Sequence, residues 1–275
     1  MGLNELRTLD RWSLEDRARA LCQPIYLGGD LMLCRVLGRY KLYVPTTDVG
    51  FGVHVLMEGI WEGWLTVFLT RLIKPGMTVL DVGANHGYYT VLLADLVGEE
   101  GAVVAVEPHP RTASLLRQTI YVNGFSQRTD IIEAAAVASA SQALSLHVPI
   151  AEPKNAHLVS SDRFEEPDVV SVAALTLDSL IDRFPRVDFM KIDVEGAEED
   201  AVAGAMQIVK RDKPDIILEF NVHRCRDAPA FLASLLAVYG TLRALDYDGT
   251  TPDISTDKLL DRGRTDDWLL YLTVR

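Results

Sequence analysis

Little in this chain points to export, a membrane or a polyanionic partner. Its three cysteines, Cys22, Cys34 and Cys225, are widely spaced and form no C-x-x-C. That argues against a disulfide framework or a thiolate zinc site, and fits reduced thiols in a cytoplasmic protein. No apolar run reaches the length of a membrane-spanning helix. The N-terminus, MGLNELRTLDRW, lacks the apolar core of a signal peptide and the Ser/Thr of a myristoylation signal. Basic residues are the minority: 27 Lys and Arg stand against 39 Asp and Glu, a net charge of −12. Such a surface repels phosphate backbones and anionic headgroups, so neither nucleic acid nor membrane is an expected partner. Also missing is a G-x-G-x-x-G dinucleotide turn. The glycine turn present reads Asp81-x-Gly83-x-x-x-Gly87, with Asn85 where the middle glycine would be.

What is there is a chain of 275 residues, 48% hydrophobic and 24% charged, enough for one α/β domain with additions. Val79–Val82 is an apolar strand ending in that turn, and Tyr89, Leu92, Leu93 and Leu96 then mark a helix. A second apolar run, 102–106, ends in Glu107-Pro108; an acid there can accept both hydroxyl hydrogens of a ribose. The blocks 187–198 and 214–221 repeat the theme, placing Asp193 with Glu195, and Glu219, at strand ends. In parallel sheets the ligand crevice lies outside those ends, so Asp81, Glu107, Asp193, Glu195 and Glu219 are expected on one rim.

The ordered series VLDVGANHGYYT, VVAVEPHP, DFMKIDVEGAE and PDIILEFN, covering roughly residues 58–221, resembles the FkbM family of methyltransferases. The resemblance implies a Rossmann-like class I fold: a mainly parallel seven-stranded sheet, helices on both faces and an antiparallel C-terminal edge hairpin. It implies S-adenosyl-L-methionine as cofactor and O-methylation, often of sugar or polyketide-type hydroxyls in natural product biosynthesis. It places Glu62, in a helix over 60–73, against the cofactor.

On that frame the cofactor residues are Asp81, Gly83, Ala84, Asn85, Gly87 and Tyr88 at the methionine end. Glu107 with Pro108 takes the ribose, and the small Ala135 and Ala136 flank the adenine. Asp193, also counted among the cofactor-binding residues, leads as base or aligner of the acceptor hydroxyl, with Lys191 two residues back on the same strand face to keep it ionised. Glu219 and His223 are further candidates, His223 as an alternative base. Magnesium is not expected; if one were held, Asp193, Glu219 and Asn221 would be its ligands. The other histidines, including His86, read as ordinary surface residues. N-methylation, an NAD-dependent oxidoreductase and a non-catalytic nucleotide-binding module are the alternatives.

Residues 1–57 read as an N-terminal extension and 58–275 as the methyltransferase domain. The extension carries an amphipathic helix over 5–22, with Ser13 capping 14–22, and a hairpin of strands 32–36 and 40–44. Residues 46–52 read as a loop, and a long proline-bearing loop spans 149–170. The core alternates strands 78–82, 102–106, 129–136, 143–148, 170–175, 188–192, 215–220, 241–247 and 268–274 with helices 88–97, 110–123, 177–183, 197–210 and 227–239. The acceptor, a small molecule or glycan, carries no motif, and a homodimer is open.

Overall fold

The computed structural model of the protein describes residues 1–139, 144–149, 153–159 and 168–274. The expected first helix is two. Helix α1 (Leu3–Thr8) and helix α2 (Arg11–Leu21) are divided because the Asp10 carboxylate accepts the Ser13 N–H at 3.0 Å and starts a new helix; Asp10, not Ser13, is the cap. Strand β1 (Ile25–Gly28) pairs with β2 (Leu31–Val36), and β2 with β3 (Tyr40–Pro45) in the expected hairpin. β1 left no trace in the pattern because all four of its residues are exposed and nothing alternates. Helix α3 (Phe51–Glu58) follows, and α4 (Gly63–Leu72) lies inside the span expected for 60–73. Leu6, Val36, Leu42 and Val55 share one buried cluster with Leu92, Val103 and Ile217, so these N-terminal elements complete the core beneath one sheet face.

The chain then alternates: β4 (Thr78–Val82), α5 (Tyr88–Val97), β5 (Ala102–Val106), α6 (Pro110–Val122) and β6 (Thr129–Ile132). The expected strand 129–136 divides here. β7 (Ala135–Ala136) leaves the main sheet and later pairs, in parallel, with β11. Next come β8 (Leu144–His147), β9 (His157–Val159) and β10 (Val169–Val172), a small antiparallel sheet ordered β10-β8-β9, and then β11 (Ala174–Leu175). The stretch read as a loop over 149–170 therefore contains a strand; residues 150–152 and 160–167 of it lie outside the described residues. Residues 177–183 form a 3-10 rather than an α-helix. β12 (Phe189–Ile192) leads to α7 (Glu198–Ala203) and α8 (Met206–Asp212). One helix was expected over 197–210. It breaks because the Gly204 carbonyl accepts the Asp178 N–H at 2.7 Å, while the Asp178 carboxylate accepts the N–H groups of Gln207 and Ile208 and caps the second piece. β13 (Asp215–Phe220), α9 (Ala228–Tyr239), β14 (Arg243–Ala244), a short α10 (Thr256–Leu259) and β15 (Trp268–Leu272) close the chain.

The seven-stranded sheet runs β14-β15-β13-β12-β4-β5-β6. β13, β12, β4, β5 and β6 are parallel; β15 is antiparallel to both β13 and β14, forming the expected edge hairpin. The chain enters at β4, winds outward through β5 and β6, and restarts at β12 on the other side of β4. The order thus reverses between β4 and β12, and a crevice opens outside their carboxyl ends. This is the Rossmann-like class I methyltransferase arrangement. Both sheet faces are covered, which is why β4, β5 and β12 are almost continuous apolar runs. Among the described residues no helix is long and apolar enough to cross a membrane.

Candidate active site

The reversal point holds a cavity of about 300 Å³, and its walls come from every layer of the fold. The turn after β4 supplies Gly83, Ala84, Asn85 and His86. The end of β5 supplies Glu107 and Pro108, β7 supplies Ala135 and Ala136, and β12 with its following turn supplies Lys191, Asp193 and Glu195. Glu62, Tyr88 and Glu219 also line it, as do Phe51 and Trp61 from the N-terminal region.

The glycine turn is built for close approach. Gly83 has φ +82°, and a Cβ there would stand 1.8 Å from the Asp193 carbonyl oxygen. Only glycine lets the β4 and β12 turns pass each other this closely. Gly87, expected on the ligand, does not line the cavity; it starts α5 with φ +93°, and a Cβ there would meet Leu116. Among the described residues, three of the five non-glycine residues with positive φ, Glu62, Asn85 and Glu195, stand on the cavity wall. Strain of this kind persists where surrounding structure enforces it, commonly at functional sites.

Glu107 is buried, and burial pushes its carboxyl up to about 7. Each oxygen takes one backbone donor: Oε2 from Asn85 N–H and Oε1 from His109 N–H, both at 2.9 Å. A carboxylate oxygen accepts two hydrogen bonds, so each keeps capacity for a ligand hydroxyl.

Asp81 differs from its expected place. It sits inside β4, one residue before the end, wholly buried and off the cavity wall. Its Oδ2 accepts from the Thr90 hydroxyl at 2.6 Å, its Oδ1 has no hydrogen-bond partner among the described residues, and burial raises its pKa. Lys191, its register neighbour on β12, is also buried; it donates to Asp193 Oδ2 at 2.8 Å, and its Nζ lies 5.1 Å from the Tyr89 ring centroid. Burial alone would lower Lys191, but the surrounding Asp193 and Asp81 carboxylates more than offset it and hold the ammonium charged. Glu62 is pushed up by burial and by Asp193, and accepts from the Tyr89 hydroxyl at 2.6 Å.

Asp193, Glu195 and Glu219 bring carboxylate oxygens within 4.8 Å of one another. The cation among them is Arg224, whose guanidinium is 3.1 Å from Glu195, 3.0 Å from Glu219 and 3.5 Å from Asp267. Lys191 on Asp193 adds a second cation beside the three carboxylates. Burial, then Asp193 and Glu195, push Glu219 up; burial and Asp193 bring Glu195 to about 7. Asn221, the third expected member of the alternative metal set, is elsewhere. β13 ends at Phe220, and beyond it the Asn221 amide donates to the Thr265 carbonyl and Asp267 carboxylate. His223 is exposed, bonded to the Arg264 carbonyl, and does not reach the cavity.

A wider cleft of about 710 Å³ adjoins the cavity and shares Lys154, Asn155, His157, Leu158, Glu195, Ala197 and Arg224 with it. Sequence reasoning missed Arg224, Lys154 and His86. Lys154 and Arg224 sit in no motif, and His86 is buried rather than a surface residue.

A family model described as the Methyltransferase FkbM domain matches residues 81–248, more than half of the chain. A protein-L-isoaspartate O-methyltransferase of Aeropyrum pernix is 38% identical over 76 residues, 28% of this chain and 28% of that protein. A ribosomal RNA large subunit methyltransferase E of Chromohalobacter salexigens is 30% identical over 107 residues, 39% of this chain and 49% of that one. The chain spans less than half the length of these curated relatives. Among solved structures, a methyltransferase FkbM from Methylobacillus flagellatus KT aligns at 15% identity and a TM-score of 0.45, over 82% of this chain and 56% of its own. An O-methyltransferase from Bacillus cereus in complex with SAH aligns at 17% and 0.40, over 83% and 84%.

Proposed function

The chain belongs to the FkbM methyltransferase family, and on that premise we propose that it methylates a hydroxyl of a small molecule or glycan, using S-adenosyl-L-methionine. The observation that carries this reading is the Glu107 carboxylate: buried on the cavity wall, aimed by two backbone N–H groups, with acceptor capacity to spare. The residues present fit the cofactor. Glu107 would hold the ribose hydroxyls, Ala135 and Ala136 leave room for a flat ring, and the turn Gly83–Asn85 brings backbone to the amino-acid end. When bound, the cofactor supplies a sulfonium methyl group as electrophile.

The protein's own part is to position and to take a proton. Asp193, in the turn after β12, accepts the hydrogen of the acceptor hydroxyl and fixes the oxygen's line of approach. Lys191 donates to Asp193 Oδ2 at 2.8 Å and so holds the carboxylate in place. Alignment makes the step effectively unimolecular, and a base at the hydroxyl adds roughly 10²–10⁴ in rate. The adjoining cleft supports the acceptor class. Lys154, Asn155, His157, Glu195, Asp200 and Arg224 offer donors and acceptors together, and among the described residues lining it there is no Phe, Tyr or Trp. That chemistry suits a polyhydroxylated acceptor better than a flat aromatic one.

The test is calorimetry with S-adenosylmethionine and, separately, NAD(H), followed by an SAH-release assay over hydroxylated acceptors. Binding of S-adenosylmethionine, and turnover that Asp193→Asn lowers by roughly 10² or more without weakening cofactor binding, is expected. Binding of NAD(H) instead, or of neither, would overturn the reading.

A further inference from the structure

A buried pair at the cavity wall has no part in this chemistry. Asp48, between β3 and α3, is fixed by its own turn: Oδ1 accepts the N–H groups of Gly50 (3.1 Å) and Phe51 (3.0 Å). Its Oδ2 lies 3.2 Å from His86 Nε2. The two side chains are 0% and 1% exposed. Burial would raise Asp48, but the His86 bond and the Gly52 and Phe51 amides outweigh it and hold the carboxyl below its ordinary value. A carboxylate can only accept, so in the neutral imidazole Nε2 carries the hydrogen and Nδ1 is a bare acceptor.

That Nδ1 is buried and has no hydrogen-bond partner among the described residues. Folded proteins leave few buried polar atoms in this state, and each calls for a cause. The location supplies one. His86 lines the cavity, with its ring 5.8 Å from the Phe51 ring at an interplanar angle of 30°. It directly follows Asn85, whose N–H aims Glu107. The ring therefore lines the same cavity as the acid assigned to the ribose.

We propose that His86 is a ligand-binding residue whose Nδ1 accepts a hydrogen bond from a hydroxyl or ammonium group of the bound cofactor, with Asp48 as the positioning residue that fixes the tautomer. This gives the segment before the family domain a share in the site. It rests on the S-adenosylmethionine reading, since that cofactor carries both kinds of donor.

Asp48→Asn tests it while keeping the turn. The amide oxygen must still accept from Gly50 and Phe51, which leaves the amide NH₂ facing His86 Nε2. The imidazole hydrogen is then forced onto Nδ1, turning the acceptor into a donor. Protein labelled with ¹⁵N-histidine, with His86→Asn to assign the signal, reports the tautomer directly. In the wild type the His86 Nδ1 resonance should move on saturation with SAH. Movement with adenosine as well assigns the donor to a ribose hydroxyl; movement with SAH alone assigns it to the ammonium. In Asp48→Asn the tautomer should invert and SAH bind about tenfold more weakly, roughly the worth of one hydrogen bond. SAH that binds by calorimetry while the His86 resonances stay still, or that binds an inverted Asp48→Asn as tightly as wild type, overturns this inference alone. No SAH binding to the wild type overturns it together with the methyltransferase reading.

Discussion

Replacing Glu107 by Gln should trade ligand binding for stability, and the trade should depend on pH. The carboxyl titrates at about 7 in the folded protein against an ordinary value of 4.5. The folded value is the higher one, so the sign is fixed: this group's contribution is most favourable below about pH 4.5 and is lost as pH rises through about 7. Between about pH 5.5 and about pH 8 the loss amounts to about 2 kcal/mol. Glutamine does not titrate. It also loses one of the two acceptors facing Asn85 and His109, a constant cost of about 1–3 kcal/mol at every pH. Whatever that constant is, the stability difference between variant and wild type should swing by about 2 kcal/mol toward the variant across this interval, or about 4 °C in melting temperature. Thermal unfolding of both proteins without ligand, at several pH values, measures the swing. The same substitution should weaken SAH binding about 10–100-fold, because a charged acceptor of two hydroxyls is gone. A stability difference that stays flat with pH would show that Glu107 is not desolvated as described, and unchanged SAH affinity would remove it from the ribose site.

Gly83→Ala should cost about 4 kcal/mol or more, since its Cβ would meet the Asp193 carbonyl at 1.8 Å; soluble yield and urea unfolding report it, and a stable, SAH-binding variant would contradict the close passage of the two turns. Lys191→Met should destabilise by about 3–5 kcal/mol by leaving Asp81, Asp193 and Glu62 without their buried cation, and a neutral effect in chemical denaturation would deny that coupling. Turnover should be indifferent to excess EDTA, because each of the Asp193, Glu195 and Glu219 carboxylates already has Lys191 or Arg224 as an ion-pair partner; loss of activity restored by magnesium would reverse that assignment.

The elements that define the fold were legible because their signals are local. β4, β5, β12 and β13 are buried on both faces and so read as short apolar runs, each with an acid or a glycine turn at or near its carboxyl end. From those strand ends came Glu107 and Asp193 on one cavity, with Lys191 two residues behind on the same face. Parity along a strand also misled. Asp81 looked like a rim residue, but it lies one position inside β4, so its carboxylate goes under the rim to Thr90. Asn221 was counted two residues after Glu219 on the same face, but the strand stops at Phe220 and the alternation stops with it.

The rest depends on contacts between distant parts of the chain. Whether 129–136 is one strand or two was settled by Ala174 and Leu175 arriving beside Ala135 and Ala136. Whether 197–210 is one helix or two was settled by Asp178. Arg224 became the counter-ion of Glu195 only when β12 and β13 lay side by side. His86 met Asp48 across 38 residues of sequence. The sequence by itself determined the alternation of elements and the chemistry at the strand ends, because apolar periodicity and turn residues act between near neighbours. Only the tertiary structure decided which charges are paired and which polar atoms are sealed from water, because burial and ion pairing depend on groups the chain brings together from far apart.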